Sequence, residues 1–430
     1  MKPLFIISCP IETYSGYGAR SRDLVKAIIQ TQKYDVQILS QRWGNTPWGF
    51  LDDHKEWSFL KNYILPTNNQ LPKQPEIWMQ ITVPNEFQPI GKYNIGVTAG
   101  IETTAPHGSW IEGCNRMNLV ITSSEFAKKT FESVQYEMKN PQGQTTGHVK
   151  LQTPIKVIFE GANTDVYKSI TEPCMIDFDI KEEFAYLFVG HWMQGDFGED
   201  RKNVGLLVKA FYETFKNKQN VPALILKTSQ VGSSYVDREE ILKKIRKIKK
   251  TVNSKNLPNI YLLHGEFTDE EMNEIYNHPK VKAMVSLTKG EGFGRPLLEF
   301  TLVKKPLITT AWSGQMDFLN PEFTCLIGGQ LTNVHPSAAN QWLLAESQWL
   351  SPDHMQIGHY LKDVFENYKN YTDKAKRQAF KSKSEFNWDK MKDKVDTILT
   401  QYIPEFPKEV KLEIPKLNKI EIPKLKKVNG

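Results

Sequence analysis

The sequence predicts an α/β protein made of two Rossmann-like domains that face each other across a cleft. Three observations lead to this. Short apolar runs alternate with amphipathic stretches, the pattern of a parallel sheet flanked by helices. The alternation stops near residue 160 and restarts near residue 185. The length, 430 residues, is too great for one ordinary core and suits two.

In the first half, PLFIISC at 3–9 is expected to be a buried strand. The glycine loop YSGYGARS follows, then a helix with Leu24, Ala27 and Ile28 on one face. Further strands are expected at Asp35–Leu39, Ile77–Ile81, Ile95–Ala99, Leu119–Thr122 and Lys156–Phe159, with a helix over Glu125–Gln135. These belong to a first domain at 1–165, in which the polar segment 137–153 reads as a surface insertion. EGANTDVYKSITEPC at 160–174 reads as the interdomain linker.

The second domain is expected over 175–384. Its strands fit Ala185–Val189, Ala223–Lys227, Ile260–Leu263, Ala283–Leu287 and Pro306–Thr309, and its helices Val204–Phe215, Arg238–Lys250, Asp269–Tyr276 and Pro296–Val303. From about 337 to Tyr402 the chain is expected to be mostly helical, with 385–402 as a last helix that packs back on the first domain. The tail, 403–430, repeats EIPKL at 413–417 and 421–425. Two prolines in such short units exclude a helix, so an extended or flexible peptide is expected.

Composition narrows the class. Hydrophobic residues at 40% and charged residues at 24% are ordinary for a globular protein. The ten tryptophans and 16 tyrosines read first as core aromatics, with an aromatic-lined cleft as the alternative. Cys9, Cys114, Cys174 and Cys325 are scattered without disulfide or metal spacing, which fits a reducing cytoplasm. MKPLFIISCP reads as a first strand rather than a signal peptide. No apolar run reaches the roughly 18 residues of a membrane span. Net charge is +6, and the tail, with seven Lys against four Glu, contributes +3 of it. The body is too mildly basic to name a polyanionic partner by itself.

The most informative stretch is SLTKGEGFGRPLLEFTLVKKPLITT at 286–310. An apolar strand leads into a glycine turn, and Pro296 opens a helix. Glu291 lies in the turn and Glu299 one turn into the helix. Gly292 and Gly294 allow close approach of a ligand to the backbone, and free amides at a helix start attract a diphosphate. A carboxylate inside the helix can accept from two vicinal ribose hydroxyls, and one in the turn can meet the transferred sugar. The plainer alternative is an ordinary strand–turn–helix with two solvated glutamates.

GEGFGRPLLE resembles the signature of family 4 retaining glycosyltransferases of the GT-B fold, with two Glu separated by seven residues. Other pieces resemble the family in order: YSGYGARSRDLVKAI, LVITSSEFAKKTF, VIFEGANTDVY, LFVGHW with DRKNVGLLVKAF, and FNWDKM at the start of the last helix. Together they cover about 3–402. The resemblance implies that Glu299 holds the ribose, that Glu291 lies near the transferred sugar, and that Gly292, Phe293, Gly294 and the adjoining Arg295 line the donor pocket. Arg201 and Lys202 would neutralise the diphosphate, and Gly16 and Gly18 would bring the first domain to the phosphates. It also implies retention of configuration. The residues themselves give no reason to expect a metal: there is no His/Cys cluster and no DxD sequence in a persuasive context, and the basic residues and helix start can do the electrostatic work, so no cofactor is expected beyond the nucleotide-sugar substrate.

The chain departs from the family pattern in two places. His191 stands where the family carries Arg, and Lys227 is a candidate to supply the missing charge. Where many members have His and Asp after the central strand, this chain reads VTAGIETTAPHGSW, with Glu102 and His107 as candidate substitutes.

Three readings of the partner stay open. The first is a saccharide or glycolipid acceptor. Within it, the Lys-rich helix at 238–250 could touch anionic lipid, although an ordinary solvated face is favoured. The second is modified phage DNA in a host cytoplasm, because ITVPNEFQ, GVTAGIETT and WIEGCNRMNLVITSSEF are similar to glycosyltransferases of large tailed bacteriophages. The third is a non-catalytic sugar or nucleotide binding protein on the same scaffold.

Overall fold

The computed structural model describes residues 2–66, 71, 73–172, 174–230, 232 and 234–407. The first domain runs β1 (Leu4–Cys9), α1 (Gly16–Gln30), β2 (Asp35–Ser40), α2 (Phe50–Asp53), β3 (Ile77–Ile81), β4 (Tyr93–Val97), α3 (Gly108–Asn115), β5 (Leu119–Thr122), α4 (Glu125–Ser133), β6 (Gln135–Lys139), β7 (Thr145–Lys150) and β8 (Ile155–Val157). Six strands form a parallel sheet in the order β2-β1-β3-β4-β5-β8. Runs such as LFIISC and IWMQI are buried at every position, as strands covered on both faces must be.

Two of these strands end earlier than their apolar runs. The one expected at Ile95–Ala99 is Tyr93–Val97, and the one expected at Lys156–Phe159 is Ile155–Val157. The carbonyl groups of Ile158 and Phe159 accept from the buried Arg20 guanidinium, at 2.8 Å for Phe159. The segment 137–153, read from its polarity as an insertion, is largely the β6–β7 hairpin, which satisfies its backbone internally and leaves most side chains in solvent.

The second domain runs β9 (Ala185–Val189), α5 (Val204–Phe215), β10 (Ala223–Lys227), α6 (Tyr235–Thr251), β11 (Ile260–Leu263), α7 (Asp269–Asn277), β12 (Val281–Ser286), α8 (Arg295–Thr301), β13 (Leu307–Thr310) and β14 (Cys325–Ile327). The sheet is parallel, ordered β11-β10-β9-β12-β13-β14. This is a doubly wound order with its reversal between β9 and β12; the first sheet reverses between β1 and β3.

The expected helical stretch from about 337 is corrected by an antiparallel arm, β15 (Gly329–Asn333) and β16 (Gln348–Pro352). Helices begin only with α9 (His354–Glu366), followed by α10 (Lys369–Glu385) and α11 (Trp388–Tyr402). Trp349 is fully buried against Val334 and Ala338, so tertiary packing overrides local helical character there. The arm reaches the first domain. Thr104 N–H donates to Gln348 O and Gln348 N–H to Thr104 Oγ1, both at 2.9 Å. Trp342 packs beside Trp110 and His107, with ring centroids 6.1 and 5.7 Å away.

The last helix returns to the first domain. Ala162 of the linker pairs with Phe386 and Trp388, and α11 packs on α1. Met391, Val395 and Leu399 join Leu24, Ala27 and Ile28 in one core. The EIPKL repeats lie outside the described residues. Met391 is completely buried. Met391→Ala is therefore expected to cost about 2–5 kcal/mol of stability, read by chemical denaturation. A loss below about 0.5 kcal/mol would mean α11 is not part of that core.

Candidate active site

A cavity of about 640 Å³ opens between the two domains. It lies beyond the carboxyl ends of both sheets, where loops leave the strands and doubly wound folds bind ligands. Gly16 and Tyr17 come from the start of α1, Trp43 from the loop after β2, and Thr98, Ala99 and Glu102 from the loop after β4. His191 follows β9, Lys227 ends β10, and Glu291 follows β12. A larger hollow of about 800 Å³ lies at the amino ends of β1 and β2, near Lys2, Tyr34 and Asp35. It lies at the opposite ends of the strands from those where doubly wound folds bind ligands, so volume alone does not assign the site.

Glu291 of the glycine turn and Glu299 of α8 both open into the interdomain cavity. Glu291 is 7% exposed, with Lys202 Nζ 2.6 Å from Oε1 and Arg201 Nη1 3.4 Å from Oε2. Arg201 also reaches Glu102 of the first domain at 3.3 Å and donates to Gly290 O at 2.8 Å. Burial pushes the Glu291 carboxyl up, but the charges of Lys202 and Arg201 outweigh it and hold the group below its ordinary range.

Glu299 is 6% exposed and accepts from Arg295 Nε at 2.8 Å. Arg295 Nη1 donates across the domain boundary to Asp23 of α1 at 2.7 Å. Burial pushes the Glu299 carboxyl up to about 7, with Arg295 pulling the other way. His191, 3.1 Å from Ser229 Oγ, is lowered by burial and by the nearby charges of Lys202 and Lys227. The neutral imidazole is thereby favoured, which suits it to a hydrogen bond more than to carrying charge. Burial also lowers Lys227, whose Nζ lies 5.5 Å from the Phe267 ring centroid.

The glycines serve the domain contact as well as the cavity. A Cβ on Gly290 would stand 2.2 Å from Glu102 O, so this turn approaches the first domain closely only because the side chain is missing. Gly294 caps α8 in the left-handed region with φ 96°. Ser123 Oγ bridges Ala99 O and Gly292 O across the seam at 3.3 Å each.

Most sequence candidates therefore meet in one place: Glu291, Glu299, Glu102, Gly292, Phe293, Gly294, Arg295, Arg201, Lys202, Lys227 and Gly16 all line the cavity. Two do not. His107 caps α3, its Nδ1 accepting from Ser109 N–H at 3.1 Å, and faces Trp342 instead. Gly18 is buried one step behind the cavity, where a Cβ would stand 2.3 Å from Thr13 O. Tyr17, Trp43, Glu160 and Asp23 were not singled out from the sequence. The one local signal for Asp23 is a run of charged residues, Arg20, Arg22 and Asp23, buried within an otherwise apolar helix. Among the described residues, no group of three or more His, Cys, Asp or Glu is placed to hold a metal ion, and no helix is long and apolar enough to cross a membrane.

The sequence matches no protein-family model, and no curated protein matches it. Solved structures do match in shape. Anabaena Alr3699/HepE, in complex with UDP and glucose, has a TM-score of 0.59 at 11% identity over 93% of this chain and 100% of that chain. Sucrose-phosphate synthase from Thermosynechococcus elongatus has a TM-score of 0.58 at 12% identity, over 93% of this chain and 99% of its own. A glycosyltransferase from Rickettsia africae has a TM-score of 0.58 at 13% identity, over 94% and 100%.

The titration of Glu299 gives a pH test. Its folded-state value, about 7, lies above its ordinary 4.5, so the folded chain holds this proton more tightly than the unfolded one. The stability linked to it is full below about pH 4.5 and is lost as pH rises through about 7. Glu299→Gln cannot ionise. Its melting temperature relative to the parent is expected to be higher at about pH 8 than at about pH 5; an unchanged difference would show that Glu299 does not titrate in this window. With these geometries and likenesses in hand, the chain has the two-domain GT-B fold.

Proposed function

We propose that this chain is a glycosyltransferase that takes a sugar from a nucleoside diphosphate, foremost a UDP-sugar, and resembles family 4 retaining enzymes in mechanism. One observation carries this reading: Glu291 and Glu299 open into the same interdomain cavity as the Arg201–Lys202 pair. Glu299 accepts from the ribose hydroxyls, and Arg201 and Lys202 meet the diphosphate. The charge that these cations now share with Glu291 is available to phosphate oxygens, whose negative charge grows as the leaving group departs. The UDP and glucose carried by HepE support the choice of donor.

In the transfer step, the bond from the anomeric carbon to the phosphate oxygen breaks and a bond to an acceptor oxygen forms. The acceptor proton passes to the departing phosphate, and retention follows from attack on the face that the phosphate leaves. Glu291 steadies the sugar beside the developing positive charge. The two cations supply the electrostatic stabilisation, so no metal is called for in this scheme. The acceptor is a saccharide or glycolipid that enters from the first-domain side. Four free cysteines support a reducing compartment such as the cytoplasm.

Binding and turnover separate the roles. UDP is expected to raise the melting temperature, and Glu299→Ala to weaken UDP by about 10- to 150-fold in calorimetry. An unchanged affinity removes Glu299 from the ribose. Glu291→Gln is expected to lower kcat for sugar transfer by about 100- to 1000-fold, measured by UDP release. Full activity in that variant would assign the reaction to other groups.

A further inference from the structure

The acceptor side of the cavity holds a feature that the donor chemistry leaves unused. Trp43 lines the cavity and is half-buried. One face of its indole stacks on Tyr17, with centroids 4.0 Å apart and planes at 23°. Tyr17 is itself fixed: its hydroxyl accepts from Ala99 N–H at 3.1 Å and lies 3.0 Å from Thr98 Oγ1.

The loop that carries Trp43 is fastened at both ends. Gln41 N–H donates to Cys9 O, Tyr14 N–H to Pro47 O, and Gly49 N–H to Glu12 O, each at 3.0 Å, and Thr13 bridges to Trp48. A tryptophan held this rigidly at a cleft wall presents a flat apolar face whose ordering cost is already met by the fold. The negative face of an aromatic ring suits the C–H edge of a pyranose, as it suits the positive edge of another ring.

Charge chooses between acceptors. Arg20, Glu102 and Glu160 are the charged first-domain side chains on the cavity wall. Arg20 donates to the carbonyl groups of Phe159 and Ile158, and Glu102 answers Arg201. Nearby Arg42 is stacked over Trp48, at 4.4 Å. The lysines of α6 do not line the cavity. On the first-domain side, a nucleic acid would bring one phosphate per nucleotide to a wall whose cation is already engaged and whose other titratable groups, Tyr17 aside, are the carboxyls of Glu102 and Glu160, while the cavity's Arg201, Lys202, Lys227 and Arg295 lie on the donor side.

We propose that Trp43, backed by Tyr17, is the docking platform for an uncharged pyranose acceptor, so that this chain glycosylates a saccharide and not DNA. This rests on the donor reading above, and the experiment separates the two. The full chain and its Trp43→Ala and Trp43→Phe variants are saturated with UDP. Methyl α- and β-glucosides, galactosides and mannosides, with maltose and cellobiose, are then titrated by saturation-transfer NMR. UDP affinity in each protein is measured by calorimetry, and transfer from UDP-hexoses to a hydroxymethylcytosine duplex is run in parallel.

The expected result is hexoside binding weakened about tenfold in Trp43→Ala and at most about threefold in Trp43→Phe, with UDP affinity equal in all three proteins and no transfer to the duplex. Three outcomes overturn the proposal: UDP binding without any hexoside binding, equal hexoside affinity in Trp43→Ala, or transfer to the duplex. Failure of the parent chain to bind UDP overturns the donor reading and the platform with it.

Discussion

Buried charge has to be matched, and that requirement shapes the centre of this molecule. An ionised carboxylate withdrawn from water without a partner costs several kcal/mol. Glu291 is tolerable where it is because Lys202 and Arg201 close on it, and Arg201 is shared with Glu102 from the other domain. Asp23, Arg295 and Glu299 form a second chain of the same kind. Each set joins the two halves, so the contact that fixes domain placement and the contact that fixes the reactive groups are one and the same.

The topology makes this convergence natural. Parallel strands send the loops that follow them out at the same, carboxyl end, and the two sheets turn those ends toward each other. Side chains far apart in the chain then meet without long excursions. Glycine at 290 lets the two loop sets touch backbone to backbone, and Ser123 bonds across the same gap. Burial at this seam lifts Glu299 to about 7, while paired cations hold Glu291 down. Two carboxyl groups in one cavity thereby titrate in different ranges, the kind of separation that assigns distinct jobs to similar groups.

Much of this was legible in the sequence. Apolar runs located the buried strands because strands covered on both faces must be apolar throughout, and Val204–Phe215 is a helix with the bounds that its periodicity indicates. The glycine turn and its two glutamates are local in the chain, so their spacing could be read. What escaped depends on distant partners. Asp23 meets Arg295 across 272 positions, and Trp43 meets Tyr17 only because β1 and β2 are neighbours. His107 misled because a His beside a loop can cap a helix as readily as it can serve a reaction, and here its Nδ1 is taken up by Ser109. The arm at 329–352 escaped because Trp349 is settled by burial and not by local pattern.

That arm has a mechanical consequence. Two halves joined at a single linker could swing apart in any direction. Here the linker and α11 tie one side of the molecule, while Thr104, Gln348 and Trp342 tie another. With the ion pairs Arg201–Glu102 and Arg295–Asp23 between them, these fastenings hold the two halves together at several separated points. The loop after β4, which carries Glu102 to Arg201, is thereby held in register with the second domain.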